Sequence, residues 1–288
     1  MIAHVAEAGE DKGRVVLWFG PSAQASPMAI DAAVLLARAF QSEVESLFVE
    51  DRQLFDLANF PFARAINSGE EGWRTLPNVD LEREIRFIGA ALQRRVAASA
   101  NRARVTWRGK VVRDDPLRAL ANACMERGPW NVVAIAEPFS SGKEERLREL
   151  FATVLGTTGV VIAGPMARRI KGPVIVAVEE IERLGPMLKS AERLKDVSGG
   201  NVKVLLVGDH AGNLAGLEGE ARLLLGDNAE VTLENVLVEN GDITAVAETL
   251  RRCKAGFALA RYGRLVVPAE GSLRPLAGAL ECPLMLVR

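Results

Sequence analysis

Two imidazoles, His4 and His210, and three thiols, Cys124, Cys253 and Cys282, are the scarcest chemical groups in this 288-residue chain. His4 falls in a polar amino-terminal stretch, which leaves His210 as the one imidazole expected in ordered structure. A Cys/His zinc site needs several ligands at close spacing, and the sequence holds no C-x-x-C and no H-x-x-x-H. A Ser-His-Asp triad would have to run through His210, yet no G-x-S-x-G elbow presents the serine. Three cysteines, odd in number and far apart, do not make a disulfide framework. Ser141-Gly142-Lys143 imitates a phosphate loop, but Glu137 stands where the pattern needs its first glycine. Glu144 follows the lysine where a hydroxyl would hold magnesium, so an exposed turn leading into a helix is expected there. Asp209-His210 lies just past a strand end, where open α/β sheets place ligands. Two readings stay open for that pair: a ribose or proton contact, or a solvated turn leading to Gly212.

The elements that would position such groups follow from hydrophobic pattern. Arg14-Val15-Val16-Leu17-Trp18-Phe19 is a short continuous apolar run ending in Gly-Pro, as a strand buried on both faces would be. Ser26-Pro27 then opens a helix to about Phe40, with Ser26 placed to cap and Pro27 at the first helical position. Further strands are expected near 44–49, 105–112, 131–136 and 159–163, with helices near 80–100, 116–126 and 144–155. The same order returns, with strands at 173–178, 202–207, 232–238, 256–260 and 284–287. Helices at 181–197, 213–225, 242–253 and 272–280 lie between them. Such alternation predicts parallel strands joined by right-handed helical crossovers.

Register supports two copies of one five-stranded unit. Residues 43–51 lie over 201–209 at an offset of 158, and 159–162 over 283–286 at an offset of 124. The join is expected in Gly164–Gly172, and the first copy carries an insertion after its second strand. Residues 1–13 read as a flexible tail, 14–165 as a first domain with a helical insertion at 52–78, and 172–288 as a second, shorter domain. The fold expected is α/β: two tandem doubly wound, Rossmann-like (HUP) domains, each with its own five-stranded parallel sheet, packed face to face about a pseudo-twofold. Their closing strands, 159–163 and 284–287, are the natural edges to meet. One continuous sheet shared by all ten strands would, on this expectation, overturn the duplication itself.

Composition bounds the function. The chain is 49% apolar and 25% charged, which suits an ordinary globular core. Thirty-six basic and 37 acidic residues give a net charge of −1, so no overall basic field draws the chain to nucleic acid or anionic lipid. No apolar run reaches the ~18 residues of a membrane span, and no signal peptide opens the sequence. A cytoplasmic location is expected.

The opening strand with Gly20-Pro21-Ser22, the helix Ala29–Arg38, the strand Ser46–Glu50 and the closing Glu281–Val287 together resemble the universal stress protein family in its tandem form. Binders of ATP in that family carry G-x-x-G, nine residues, then G-[ST] after the fourth strand, with an acidic residue ending the first. Glycines there let backbone N–H groups reach phosphate. The first copy departs from this pattern, with Phe19-Gly20 in the acid's place and Glu137–Gly142 after the fourth strand, and no ATP is expected in it. In the second copy Ala260-Arg261-Tyr262-Gly263 replaces G-x-x-G, and Gly271-Ser272 follows after seven residues. Glu179 or Glu180 stands where the acid belongs. The resemblance thus implies a nucleotide loop at Glu179, Gly263, Gly271 and Ser272, with ATP or another adenine nucleotide as the ligand to test.

Two surface features complete the reading. Arg83, Arg86, Arg94, Arg95, Arg102, Arg104, Arg108, Lys110 and Arg113 form a basic run: a dock for an acidic partner, or a solvated face neutralised by carboxylates such as Glu82 and Glu84. Leu54, Phe55, Leu57, Phe60, Phe62 and Ile66 crowd the insertion, and apolar density of this order should be buried. It would form a cap on its own domain, a homodimer or protein-partner interface through residues 54–66, or a lid over a cleft. Three functions follow: a non-enzymatic stress-response or regulatory protein sensing nucleotide through its second half, a protein-binding scaffold using the insertion, or an enzyme acting at a nucleotide α-phosphate.

Overall fold

A computed structural model describes residues 13–19, 26–62, 64–65, 74–75, 78–126, 131–135, 149, 157–226, 230–238, 242–269 and 274–287. Gly20–Ser22, Ser141–Lys143, Ile66, Gly271, Ser272 and the tail 1–12 lie outside them, as does the helix expected at 144–155 apart from Glu149.

The first half runs β1 (Arg14–Phe19), α1 (Pro27–Ala39), β2 (Glu43–Asp51), α2 (Arg52–Ala58), β3 (Arg64–Ala65), β4 (Arg74–Thr75), α3 (Asn78–Ala103), β5 (Trp107–Asp114), α4 (Pro116–Met125), β6 (Asn131–Ile135) and β7 (Thr157–Ile162). The second runs β8 (Val174–Val178), α5 (Ile181–Ser198), β9 (Val202–Gly208), α6 (Ala211–Leu225), β10 (Val231–Leu237), α7 (Thr244–Arg252), β11 (Phe257–Arg261), α8 (Arg274–Ala279) and β12 (Leu284–Val287). Local chemistry explains several boundaries. Pro27 opens α1 as expected, although the Ser26 side chain makes no capping bond. Pro116 opens α4 behind Asp115, whose carboxylate accepts from the Arg118 N–H. Gly199 closes α5 at φ +76.

Strand alternation sorts side chains to two faces. Val15, Leu17 and Phe19 of β1 join a core with residues of α1, α3, α5 and α6, whereas Val16 joins one with residues of α4, α7 and α8. Helices therefore cover both faces, as a doubly wound sheet requires.

Separate sheets are corrected by the strand order. All ten long strands lie in one sheet, β10-β9-β8-β11-β12-β7-β6-β1-β2-β5. Within each half the pairing is parallel, and β12 meets β7 antiparallel, with Leu284 opposite Ile162 and Val287 opposite Gly159. The physical reason is edge pairing: two apolar closing strands with open edges satisfy each other's backbone groups. Read outward from this seam, the strand order is the same on both sides, so continuity of the sheet and repetition of its order stand together. The halves also share one core across the seam, where α1 packs on α5 and Arg193 lies 5.8 Å over the Phe40 ring.

The segment joining the halves is tied to the seam. Both Arg168 and Arg169 N–H groups donate to the Glu281 carbonyl at 2.9 Å, and both guanidiniums pair with its carboxylate. Burial pushes the neighbouring Cys282 thiol up to about 12. At the far end of β1, Arg14 pairs with Glu45 of β2, both nearly inaccessible to solvent.

Among its described residues, the insertion holds one short helix, α2, and the antiparallel ladder β3–β4, so the helix expected across 52–78 is interrupted at 64–65 and 74–75.

Two substitutions test this packing. A Cβ at Gly159 would sit 3.0 Å from the Leu286 carbonyl oxygen, so Gly159→Val should destabilise the protein by about 1–3 kcal/mol, read from the urea midpoint. Glu45→Ala removes the close partner of a buried guanidinium, leaving it Glu126 at 3.8 Å, and should cost about 3 kcal/mol, whereas an apolar replacement of both Arg14 and Glu45 should be far milder by the same measurement.

Candidate functional site in the second half

β8 sits between β9 and β11, so the chain leaves it in one direction toward β9 and returns on the other side at β11. Open α/β sheets bind ligands beyond the strand ends at such a switch point. Glu179 and Glu180 directly follow β8, and the turn 262–267 directly follows β11.

The turn's backbone donors from Tyr262 to Val266 are all bonded, two within the turn and three to neighbouring segments. Tyr262 N–H donates to the Val287 carbonyl at 2.8 Å, and Gly263 and Arg264 N–H groups donate to the Val267 carbonyl at 2.7 and 3.1 Å. The next two donors point at Glu179: Leu265 N–H to Oε2 at 2.7 Å and Val266 N–H to Oε1 at 3.1 Å. Gly263 holds φ +82, a left-handed conformation that side chains resist, while Val266 and Val267 are buried and anchor the turn in the core. Glu180 pairs with both Arg261 and Arg264. Burial pushes the Glu179 carboxyl above its ordinary range, against the opposing pull of the two N–H groups and Arg264.

Both carboxylates named as alternatives thus reach the turn, Glu179 to its backbone and Glu180 to its arginines. Glu179 and the Gly263 turn are brought together, whereas Gly271 and Ser272 lie outside the described residues. The sequence reading missed Arg261 and Arg264 as participants. Two cations three residues apart, facing two consecutive acids, were the available signal.

Among the described residues, the N–H groups of Tyr262–Val266 are all bonded within the protein.

The remaining candidates resolve differently. His210 Nδ1 lies 2.5 Å from Asp209 Oδ1 with both side chains exposed, the solvated turn of the two readings. That contact, with Asn213, holds the Asp209 carboxyl below its usual range. The basic run is laced with carboxylates: Arg83 with Asp80, Arg86 with Glu82, Arg108 with Glu43, Lys110 with Glu126. Arg113 donates to Glu50 and Glu82 at 2.8 and 2.7 Å and lies 3.9 Å over the Phe55 ring. Arg113, Phe55, Arg52, Asp56, Asn59, Asn78 and Glu82 line a groove of about 430 Å³ beneath α2.

Burial of the insertion's apolar residues is only partly observed. Phe55 is buried, but Leu57, Phe60 and Phe62 are 57%, 49% and 74% exposed. Phe60 and Phe62 stack on each other with ring centroids 5.3 Å apart. Phe60 and Phe62 follow the end of α2 at Ala58, and within α2 only Phe55 is buried. No three His, Cys, Asp or Glu side chains group to hold a metal among the described residues. No helix there is long and apolar enough to cross a membrane.

No family model matches the sequence, and no curated protein sequence does. Solved structures do match. A universal stress protein from Archaeoglobus fulgidus DSM 4304 aligns over 95% of this chain and 96% of its own, at 13% identity and a TM-score of 0.60. A putative universal stress protein from Pseudomonas aeruginosa UCBPP-PA14 aligns over 96% and 94%, at 14% identity and a TM-score of 0.56. The cytoplasmic domain of a prokaryotic cation chloride cotransporter aligns over 96% and 95%, at 11% identity and a TM-score of 0.55. The chain has the fold of universal stress proteins over nearly its whole length.

Linkage gives the site a pH signature. Because the folded carboxyl of Glu179 holds its proton more tightly than the unfolded one, its favourable contribution is complete at acid pH and is lost as pH rises through the raised value. The stability of wild type minus that of Glu179→Gln should therefore fall as pH rises from below the ordinary carboxyl range toward neutrality, measured by urea unfolding. Gly263→Ala should cost about 1–2 kcal/mol through backbone strain alone, since no atom lies nearer than 3.9 Å to the added Cβ.

Proposed function

We propose that this chain is a non-enzymatic cytoplasmic regulatory protein of the universal stress protein kind, acting through contact with protein and not through nucleotide turnover. One observation carries the reading: the acids and the turn at the switch point are spent on each other. Groups already paired in this way hold a shape and leave few donors for a substrate. In this reading the described part of the expected nucleotide loop, Glu179 and the Gly263 turn, is closed by its own bonds. The deciding experiment uses nucleotide-extracted protein with ATP. No thermal shift and no product support the reading; a shift without turnover overturns it in favour of a sensor, and turnover in favour of an α-phosphate enzyme.

The exposed stack at Phe60 and Phe62 favours the insertion as the contacting surface. The likeness to the cytoplasmic domain of a cotransporter supports the same reading, because that domain works as part of a larger protein. Phe60→Ala should leave stability within about 0.5 kcal/mol, because the ring is half exposed, while weakening self-association or partner binding. Sedimentation velocity on wild type and variant, alone and with any co-purifying protein, checks this. Identical behaviour of the two removes the insertion from the reading.

A further inference from the structure

We infer that Glu179 is a built-in plug: its carboxylate occupies the oxyanion position of the 262–267 turn, and removing it opens that turn to phosphate. The inference rests on the reading above, that the turn is closed in the intact chain.

Three features make the turn an anion receptor in composition. Leu265 and Val266 present adjacent N–H groups to the two oxygens of one carboxylate, the arrangement by which consecutive backbone amides hold an oxyanion. Arg261 and Arg264 add two positive charges from the same segment. The turn also has its own reasons to keep its shape. Gly263 supplies the left-handed residue, two bonds to the Val267 carbonyl close the loop, and Tyr262 is tied to β12. None of these bonds involves Glu179.

What fills the receptor comes from β8. Glu179 takes the backbone donors, and Glu180 pairs with both arginines. Two carboxylates against two guanidiniums leave no net charge to attract an anion, and the N–H pair has no free direction. Truncating Glu179 changes both conditions at once. Two donors lose their acceptor, which costs free energy unless something replaces it. One negative charge also leaves the site. A tetrahedral oxyanion meets both needs.

Inorganic phosphate is the probe, and the amide signals of Leu265 and Val266 in a ¹H–¹⁵N spectrum are the readout. In wild type these amides should resist hydrogen exchange as well as those of Gly263 and Arg264, and millimolar phosphate should leave them unmoved. In Glu179→Ala phosphate should shift them, and adding Arg264→Ala should weaken that binding about tenfold. Glu179→Gln keeps the side-chain volume, cannot accept through both terminal atoms, and serves if the alanine variant unfolds. An ATP arm separates sources: tighter binding than phosphate assigns the opened turn to a nucleotide, equal binding to the free ion, and both uphold the plug. Fast exchange at these amides in wild type, or a phosphate shift there in wild type, overturns it. So does a folded variant that phosphate leaves unchanged. A wild-type thermal shift with ATP would instead sink the proposed function, so the two failures are distinguishable.

Discussion

Everything in this molecule hangs on the antiparallel pairing of β7 with β12, which turns two parallel arrays into one sheet. Parallel strands need cover on both faces, and each array ends at an apolar closing strand whose open edge would otherwise invite a foreign partner. Joining the two edges removes the open edges at the seam and, among the described residues, leaves β5 and β10 at the ends of the ten-stranded sheet. Both carry charged side chains, exposed Arg108 on one and half-buried Glu234 on the other, which discourages further addition. The close approach at Gly159 and the two hydrogen bonds from the Arg168 and Arg169 N–H groups to the Glu281 carbonyl both serve this one line of contact.

The seam also orders what lies away from it. β12 is held against β11, and the Val287 carbonyl accepts from Tyr262, so the turn after β11 inherits its position from the sheet. Glu179 then meets a turn whose shape is already set. Electrostatics at that point is local: two acids and two arginines cancel among themselves. The arginine run along α3 and β5 follows the same economy, with Arg113 bridging Glu50 and Glu82 while stacking on Phe55.

The insertion obeys a different logic. Phe55 anchors α2 to the sheet, and the rest of the segment stands out with its apolar side uncovered. A short helix has only one side to bury, so density of apolar residues in sequence does not decide how many of them reach the core. Phe60 and Phe62 cover part of each other and remain accessible.

Much of the fold was legible from residues alone, because strand and helix periods are local. The run Val15–Phe19, the Ser26-Pro27 start of α1 and the stripe Leu184, Leu188, Ala191 and Leu194 identify elements whose observed bounds differ by only a few residues. The repeat was legible too, as register between residues 43–51 and 201–209 whose strands hold matching places in the sheet. Of the candidate site, Glu179 and the Gly263 turn were legible through resemblance. Their mutual bonds were not, since the partners stand 86 and 87 residues apart and a carboxylate's choice between solvent and a backbone amide depends on burial. Residue order by itself thus determined the elements, their alternation and the type of residue at the switch point. Only the tertiary structure decided that two edges 124 residues apart in register would close on each other, that the turn would be filled from within, and that the phenylalanines would face water. The reason is the same in each case: pairing between distant groups is settled by which surfaces meet in space, and no local period encodes that.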